Sequence, residues 1–466
     1  MCDTWVALAD ATATQQVIFA KNSDRPTFDC QPLIRYPAQD WPANSHIELE
    51  YRQIPQVPHT YANLGSSPYW SWGYEEGINE HGVVIGNEAI YTRTFGQLAA
   101  AYQAGEAVEL GLVGMDLIRL GLERGATAAQ AVEVMGQLIE QYGQFGSGVP
   151  TQSHVEGGYD NSFIIADPTE AYVLEALGKR WAARRITSGY AAISNQMTIR
   201  QQWDLGSEDL EAFARQSGWP VDAPFDLARA YIDEGKPRQL SHIRLMRSQQ
   251  LLEQRSRDIT PKWMMRIARD HYEDSFLQGP YFDAAEPDFL SICMHVSPAD
   301  FTWGNTASSC VAPLPTSEQD LPYFWWTPGP PCNGCYVPFF VHSSQLPPTV
   351  SQAGVAGKQV RTPPDAPADR YASDSYWWRF RQLMDRVKGD SIRSIPGLYA
   401  ERNAIVREHF DALEADFMKQ LPSVMRQATA DDSLNPRILD AFTDDCVHRV
   451  LAAVENLLEQ FGEPAI

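Results

Sequence analysis

The order of short apolar runs along the chain constrains the fold more than any other feature of the sequence. Two runs near the start, residues 5–8 and 17–20, are joined by a polar turn and predict a hairpin that begins near Cys2. Further strands are predicted at residues 83–85, 163–166, 171–174 and 191–193. Helical patterns lie between and after these strands without alternating with them one by one. This order favours an α+β fold, in which helices cover antiparallel sheets, over a doubly wound parallel sheet.

Helices are predicted at residues 110–123, 128–142, 226–234, 241–254 and 261–271. The second has a clear start and end, because Thr127 is an N-cap residue with Gln130 three positions later and Gly143 follows the last turn. The last begins with Thr260 as N-cap and Pro261 at the first helical position.

The chain is predicted to divide into a main domain at residues 1–345, a proline-rich linker or strap at 346–369 and a helical part at 370–466. Two sets of apolar residues in the last part recur at helical spacing. They are Val406, Phe410, Leu413, Phe417 and Leu421, followed by Ile438, Phe442, Cys446, Val450 and Val454. This C-terminal helical extension is predicted to be a small subdomain or the contact of a homo-oligomer.

Charge and the absence of targeting signals limit the class of protein. With 37 basic and 59 acidic residues the net charge is −22, which argues against nucleic acid and anionic membranes as partners. The N-terminus lacks the basic and apolar regions of a signal peptide, and no run reaches the roughly 18 apolar residues of a membrane span. The seven cysteines are therefore expected to be reduced thiols in a cytoplasmic protein.

Cys2 is the most informative single residue. A cysteine at the first position of a mature chain carries its own base, because the free α-amine titrates near ~7.7–8.0 and can accept the thiol proton. This chemistry requires removal of Met1, which is reasonable before a residue as small as cysteine. The alternative is an incidental thiol near a chain end.

Several segments, in this order, resemble the secernin and dipeptidase family of N-terminal-nucleophile hydrolases, with secernins the nearer likeness. The segments are Cys2-Asp3-Thr4, Lys21-Asn22-Ser23-Asp24-Arg25, Pro68-Tyr69-Trp70-Ser71-Trp72-Gly73, Gly77-Ile78-Asn79-Glu80-His81-Gly82-Val83-Val84-Ile85-Gly86-Asn87-Glu88-Ala89, Gly114-Met115-Asp116-Leu117, Asn161-Ser162-Phe163-Ile164-Ile165-Ala166-Asp167 and Ile193-Ser194-Asn195-Gln196. The likeness covers about the first 200 residues and continues more faintly to about residue 345. It implies a four-layer αββα fold with two stacked antiparallel sheets.

The resemblance also implies roles for site residues. Penicillin acylases and bile salt hydrolases, wider relatives, carry an Arg-Asn-x-Asp run whose first and last positions match Lys21 and Asp24. Asp24 would hydrogen-bond the α-amine, and Lys21 would favour the thiolate, although lysine lacks the planar bidentate contact of arginine. Asn87 and Asn195 match the two asparagines placed around the oxyanion, where fixed donors are needed.

Each of these assignments has an alternative. Either asparagine could be a turn residue that caps a strand end. Arg244 falls where relatives place an arginine facing the nucleophile, but Arg247 competes for that position and a solvated or salt-bridged helix arginine is an equal alternative.

The pair Cys332 and Cys335 has the spacing of half a zinc site or of a redox pair. A zinc site needs a second half, and Cys293-Met294-His295 has poor spacing for one. An Asn-Gly turn between two packed thiols is therefore preferred, and no metal ligand is predicted.

The sequence thus predicts a cysteine-dependent hydrolase of peptide or other linear amide bonds, acting on a small peptide or N-acyl amide substrate without a cofactor. One alternative is a non-catalytic binding or regulatory protein that retains the fold. Another is a metal-dependent peptidase.

Overall fold

The computed structural model describes residues 1–236, 239–278, 290–296, 304–317, 320–389, 397–430 and 434–462. The strands are β1 (Cys2–Ala7), β2 (Ile18–Arg25), β3 (Leu33–Tyr36), β4 (Gln39–Asp40), β5 (His46–Glu48), β6 (Gln53–Pro55), β7 (His59–Thr60), β8 (Asn63–Ser66), β9 (Glu76–Asn79), β10 (Val84–Ile90), β11 (Asp160–Ala166), β12 (Ala171–Leu177), β13 (Arg180–Ile186), β14 (Tyr190–Ile193), β15 (Leu205–Gly206), β16 (Asn305–Pro313), β17 (Tyr323–Pro328) and β18 (Val337–Phe340). The helices are α1 (Arg93–Gln103), α2 (Gly114–Arg124), α3 (Ala128–Tyr142), α4 (Leu210–Gln216), α5 (Leu227–Tyr231), α6 (Gln239–Glu253), α7 (Pro261–Ala268), α8 (Tyr376–Lys388), α9 (Leu398–Ala428) and α10 (Pro436–Phe461).

Most strands form two antiparallel sheets. One has six strands in the order β14-β1-β2-β16-β17-β18, and the other has eight in the order β15-β13-β12-β11-β10-β9-β8-β3. The N-terminal hairpin lies inside the first sheet, because β1 pairs with β14 on one side and β2 pairs with β16 on the other. The first residue of β1 is therefore held in a fixed register against two neighbouring strands.

The two sheets stack face to face between layers of helices. β1 contacts β10 and β11 of the facing sheet, α2 and α3 cover the outer side of the eight-stranded sheet, and α6 and α7 cover the six-stranded sheet. A large apolar core joins the sheets, and a second lies beneath α2 and α3. The predicted α+β class, with two stacked antiparallel sheets between helical layers, is confirmed.

All five predicted helices are present; α3 has the predicted ends, and the other four begin or end at different residues. Thr127 accepts a hydrogen bond from the backbone of Gln130, and α3 spans the predicted residues before Gly143, which has a positive φ of 71°. Pro261 starts α7 as predicted, but the helix ends at Ala268 and not at His271. His271 consequently lies in the loop after α7, where its side chain is buried among other segments.

The C-terminal helices α8, α9 and α10 pack on one another and on β17 and β18. Their buried residues belong to the same apolar core as those of the six-stranded sheet. The division at 345 and 370, like the role in oligomerisation, stays a prediction. Among the described residues, none of the helices combines the length and apolar character needed to cross a membrane.

Candidate active site

Cys2 lies buried at the start of β1, directly opposite Ser23 of β2. Its Sγ accepts a hydrogen bond from the backbone N–H of Asp24 at 3.4 Å. Its backbone nitrogen donates to Oδ1 of Asn195 at 2.9 Å. The sheet thus fixes both the sulfur and the nitrogen that would become the α-amine.

Met1 occupies one wall of a cavity of about 240 Å³ that also contains Cys2, Asp24 and Asn87. Its terminal ammonium donates to the backbone oxygen of Asp24 at 3.1 Å. Removing Met1 would therefore enlarge this cavity and place a new terminal amine beside the Cys2 sulfur.

Burial raises the pKa of the Cys2 thiol to about 12, although Lys21 and the ammonium of Met1 oppose this rise. While Met1 is attached, the nitrogen of Cys2 is an amide and cannot act as a base. The thiol of the unprocessed chain is consequently protonated near neutral pH and lacks its own proton acceptor.

Lys21 lies on β2 with its side chain fully buried between two carboxylates. Its Nζ is 3.4 Å from Glu75 and 3.3 Å from Glu76. Burial alone would lower the pKa of Lys21, but the Cys2 thiolate, Glu76 and Glu75 together raise it well above its usual value. Lys21 is thus a permanent positive charge, and its charge favours the ionised form of Cys2.

The Asp24 carboxylate lies near the N-terminus and, among the described residues, only one of its two oxygens accepts a hydrogen bond. Thr306 donates to Oδ1 at 2.7 Å, while Oδ2 is buried and has no hydrogen-bond partner in the described part of the chain. Burial raises the pKa of Asp24 to about 7, and the terminal ammonium and Arg244 oppose the rise. A buried oxygen without a donor can accept a bond from a newly exposed amine.

Arg244, on α6, contacts the nucleophile's own backbone. Its guanidinium donates to the carbonyl oxygen of Cys2 at 3.0 Å and to Oδ1 of Asn195 at 2.7 Å, and it forms an ion pair with Asp3. Arg247, the competing arginine, pairs with Asp270. Of the two, Arg244 therefore lies at the site.

Asn195 follows β14, as expected, but its contacts differ from those of a simple oxyanion donor. Its oxygen accepts from Cys2 and Arg244, and its nitrogen donates to the carbonyl of Ala89 at 2.9 Å. One amide hydrogen is left for other partners. These contacts favour a role in holding the amine of Cys2, and the oxyanion role stays a prediction.

Asn87 lines the cavity from inside a strand, because β10 runs on to Ile90 and does not end at residue 85 as predicted. The reading of Asn87 as a strand-end cap is therefore wrong: Gly86 looked like a strand end but pairs regularly with β11. The Asn87 side chain lies 2.9 Å from that of Asn161.

Two glycines make room for this arrangement. A Cβ on Gly86 would come within 2.6 Å of the Lys21 side chain, and one on Gly114 would come within 2.7 Å of the Asn87 amide. Both distances are too short for real contacts. Gly86 thus admits the Lys21 side chain to the space between the sheets, and Gly114 of α2 leaves room for the Asn87 amide.

Sequence reasoning missed the acidic residues beneath the nucleophile. Besides Glu75 and Glu76, they include Asp3 and Glu88, which accepts from the Thr4 hydroxyl. Burial raises the pKa of Glu88 well above its usual value. The available signal was the pair of adjacent glutamates just before an apolar strand, since carboxylates are rarely buried without partners.

Comparison with known proteins places the chain in a defined family. Residues 9–259, more than half of the chain, match the family described as Peptidase family C69. Among solved structures, a variant of the conjugated bile acid hydrolase from Clostridium perfringens is 13% identical over 70% of this chain and 89% of that chain, with a TM-score of 0.36.

Two further structures show a comparable likeness. Penicillin V acylase from Agrobacterium tumefaciens is 14% identical over 72% of this chain and 86% of its own, with a TM-score of 0.37. The Caenorhabditis elegans ortholog of N-acylethanolamine-hydrolyzing acid amidase is 14% identical, with coverage of 68% and 95% and a TM-score of 0.33. Similarity at this level is too distant to transfer a residue's role.

Proposed function

The chain belongs to peptidase family C69, and on that premise we propose that it is an amide hydrolase whose nucleophile is the Cys2 thiol, activated by loss of Met1. The observation that carries the proposal is the pairing of sulfur and nitrogen on one residue, with the sulfur lining a cavity and the nitrogen held by Asn195. An N-terminal cysteine needs no second residue as base, because its amine titrates near working pH.

The proposed reaction has two halves. The α-amine takes the thiol proton, the sulfur attacks the carbonyl carbon, and the resulting oxyanion forms beside Asn87. The amine then returns the proton to the leaving nitrogen as the C–N bond breaks, which leaves a thioester on Cys2. Water, deprotonated by the same amine, then attacks the thioester carbonyl. The C–S bond breaks, the acid is released, and the amine returns the proton to the Cys2 sulfur.

The neighbours have distinct proposed roles in this reaction. Asp24 receives a hydrogen bond from the α-amine through its open Oδ2, and Asn195 with Arg244 fixes the amine from the other side. Lys21 stabilises the thiolate by its charge. Asn87 lines the cavity and would donate to the oxyanion.

We further propose a small substrate, a dipeptide or a small N-acyl amide, and a closer relation to secernins within the family. The cavity of about 240 Å³ is below the usual range of drug-sized pockets, even though departure of Met1 enlarges it. Arg25, Glu75 and Glu156 add charged groups to its lining. A small polar substrate matches this volume and lining.

The test compares one preparation before and after exposure of Cys2. The protein is made with a removable N-terminal fusion whose protease leaves Cys2 as the first residue, and intact mass verifies the cut. Both forms are assayed against a panel of dipeptides and N-acyl amides, and a thiol-directed electrophile maps the reactive cysteine. Activity and labelling at Cys2 are expected only after the cut.

Cys30→Ala is the matched control, because Cys30 is another buried thiol that does not line the cavity. Equal turnover by the uncut form would contradict the proposal. A chain that keeps Met1 in its native cell and is inactive when Cys2 is exposed would instead favour a binding or regulatory protein.

A further inference from the structure

Two histidines and two cysteines, side chains that commonly bind zinc, lie close together behind the N-terminal hairpin. His271 follows α7, Cys293 and His295 lie in the segment 290–296, and Cys332 lies in a 3₁₀ turn after β17. All four side chains are buried, and their ligand atoms lie within 4.8 Å of one another. The sequence alone predicts no metal ligand, because Cys293-Met294-His295 has poor spacing for the second half of a site with Cys332 and Cys335. In the structure Cys335 packs against α9, and His271 is the fourth member of the cluster.

Three distances from Nε2 of His295 are close to the edges of a tetrahedron around one ion. Nε2 of His271 is 3.3 Å from Nε2 of His295, which is 3.7 Å from Sγ of Cys293 and 3.2 Å from Sγ of Cys332. Zinc bonds of about 2.0–2.1 Å to nitrogen and about 2.3 Å to sulfur give tetrahedral edges of roughly 3.3–3.8 Å. The three edges at Nε2 of His295 are thus close to these lengths, and the other pairs lie within 4.8 Å, so small side-chain shifts would bring all four atoms to bonding distance of one cation.

Outer contacts orient two of the ligands. Nδ1 of His271 lies 3.3 Å from a carboxylate oxygen of Glu273, so that its Nε2 is the nitrogen that faces the cluster. The Tyr399 hydroxyl lies 2.8 Å from Sγ of Cys332. A carboxylate behind a ligating histidine and a hydroxyl beside a ligating sulfur are the second contacts that metal sites use.

We propose that His271, Cys293, His295 and Cys332 hold one structural Zn²⁺ ion. Two sulfurs and two imidazole nitrogens in tetrahedral array select zinc among common divalent cations. Four protein ligands leave no open position for water or substrate, so the ion has no part in amide hydrolysis. A cavity of about 640 Å³ lined by His271, Glu273 and Cys332 gives the ion an entry path.

The ion would brace the strand that carries Lys21 and Asp24. Met294, between two ligands, exchanges two hydrogen bonds with Thr306, whose hydroxyl donates to Asp24. Asn22 donates to the carbonyls of Ala268 and Ile292, beside the other ligand segments. Zinc would thus join three loops to the back of β2.

The test uses the full chain, purified under reducing conditions. Metal content is measured by elemental analysis after gel filtration, and protein stripped by chelation is titrated with Co²⁺. About one zinc per chain is expected, with a thiolate-to-cobalt charge-transfer band and intense tetrahedral d–d bands after Co²⁺ is added. Both readouts are independent of activity and of any variant.

Cys332→Ser is expected to lower Co²⁺ affinity by about 10-fold or more, while Cys335→Ser, three residues away, keeps wild-type affinity. Three results would overturn the proposal: folded, reduced wild-type chain that takes up no metal, cobalt spectra without thiolate ligation, or a Cys293–Cys332 disulfide in freshly purified protein. Equal loss in Cys335→Ser and Cys332→Ser would overturn it as well.

Discussion

The chain buries thiols in two regions, one at Cys2 and one at the cluster of Cys293 and Cys332, and the two regions differ in their neighbours. Around Cys2 the neighbours are charged pairs, with Lys21 between two glutamates and Arg244 on Asp3. Around the cluster they are two imidazole nitrogens within 3.7 Å of sulfur or of each other. Charged groups tune a thiol for reaction, whereas imidazole nitrogens beside sulfur are the ligand set of a borderline-soft cation such as zinc.

Each of the two thiol regions borders its own cavity. Cys2 lines a cavity from which Met1 can depart, while the cluster borders another cavity that shares no lining residue with the first. Burial alone therefore does not make a cysteine inert. The groups that face the sulfur, and what can reach it, decide between nucleophile and ligand.

The largest expected effect separates the two regions by function. Cys2→Ala in the processed chain is expected to lower kcat/KM on the best substrate by on the order of 10⁴-fold or more, because no other group can form the acyl intermediate. Its Co²⁺ spectrum should match the wild type. Kinetics and cobalt titration of the same sample check both points. Turnover within tenfold of the wild type would contradict the role of Cys2 as nucleophile. Loss of metal binding would contradict the independence of the Cys2 region from the metal cluster.

The next effect concerns the oxyanion. Asn87→Ala is expected to lower kcat by about 10²–10³-fold, the usual cost of losing one oxyanion donor. Steady-state kinetics measure it. Asn161→Ala is the comparison variant, because Asn161 touches Asn87 without lining the cavity, and a smaller loss is expected. A larger loss in Asn161→Ala would shift the donor role to that residue.

Lys21 tests the electrostatic part of the comparison. Lys21→Gln removes the charge that favours the thiolate, so the acid limb of the kcat/KM profile is expected to move to higher pH, with about a tenfold loss at neutral pH. The single change leaves the buried carboxylates of Glu75 and Glu76 without their positive partner, which would destabilise the fold. The double variant Lys21→Gln/Glu76→Gln removes one of these two carboxylates and is therefore used alongside it. An unshifted profile in the folded double variant would exclude this role.

The fold class and several of its helices and strands followed from the sequence, because periodicity and caps are local signals. The signals at Thr127 and Gly143 gave α3 correctly. The predicted ends of β10 and α7 were wrong. In the sequence Gly86 looks like the end of its strand, but it stays within β10, and its missing Cβ leaves room for the Lys21 side chain. Pairing across the sheet outweighed the local tendency of glycine to end a strand.

The site was less accessible to sequence reasoning. The likeness to a family supplied positions such as Asn195, but not which of its amide atoms faces Cys2. The four-ligand cluster was missed because His271, Cys293 and Cys332 lie far apart in the chain and meet only through tertiary packing. Spacing rules detect sites whose ligands come from short local segments, and this one comes from three separate loops.

Removing the ion is expected to affect stability more than catalysis. Zinc at 1,000 times its dissociation constant stabilises a folded chain by about 4 kcal/mol, and stripping should lower the free energy of unfolding by a similar amount. Urea unfolding with and without added zinc measures this. Activity should fall only a few-fold, through the bonds from Met294 to Thr306 and from Thr306 to Asp24. Complete loss of activity in a stripped but folded chain would place the ion in the reaction and erase the contrast.

The last expected effect is a pH dependence of the free energy of unfolding, confined to the Cys2 region of the unprocessed chain. Burial raises the pKa of Asp24 to about 7, against the opposing charges of the Met1 ammonium and Arg244 and with the help of Asp3. The folded state then binds a proton that the unfolded state has released, so this contribution to stability is present below about pH 4 and is lost as pH rises through about 7.

The expected slope is on the order of 1 kcal/mol per pH unit between those limits, and Asp24→Asn should remove it. Urea unfolding of both chains from pH 4 to pH 8, in material that intact mass shows to retain Met1, isolates the difference. The Co²⁺ affinity of the Asp24→Asn variant should stay at the wild-type value, since Asp24 reaches the cluster only through Thr306 and Met294. Parallel slopes in the two chains would show that other buried carboxyls, such as Asp160, whose pKa burial also raises to about 7, dominate the dependence.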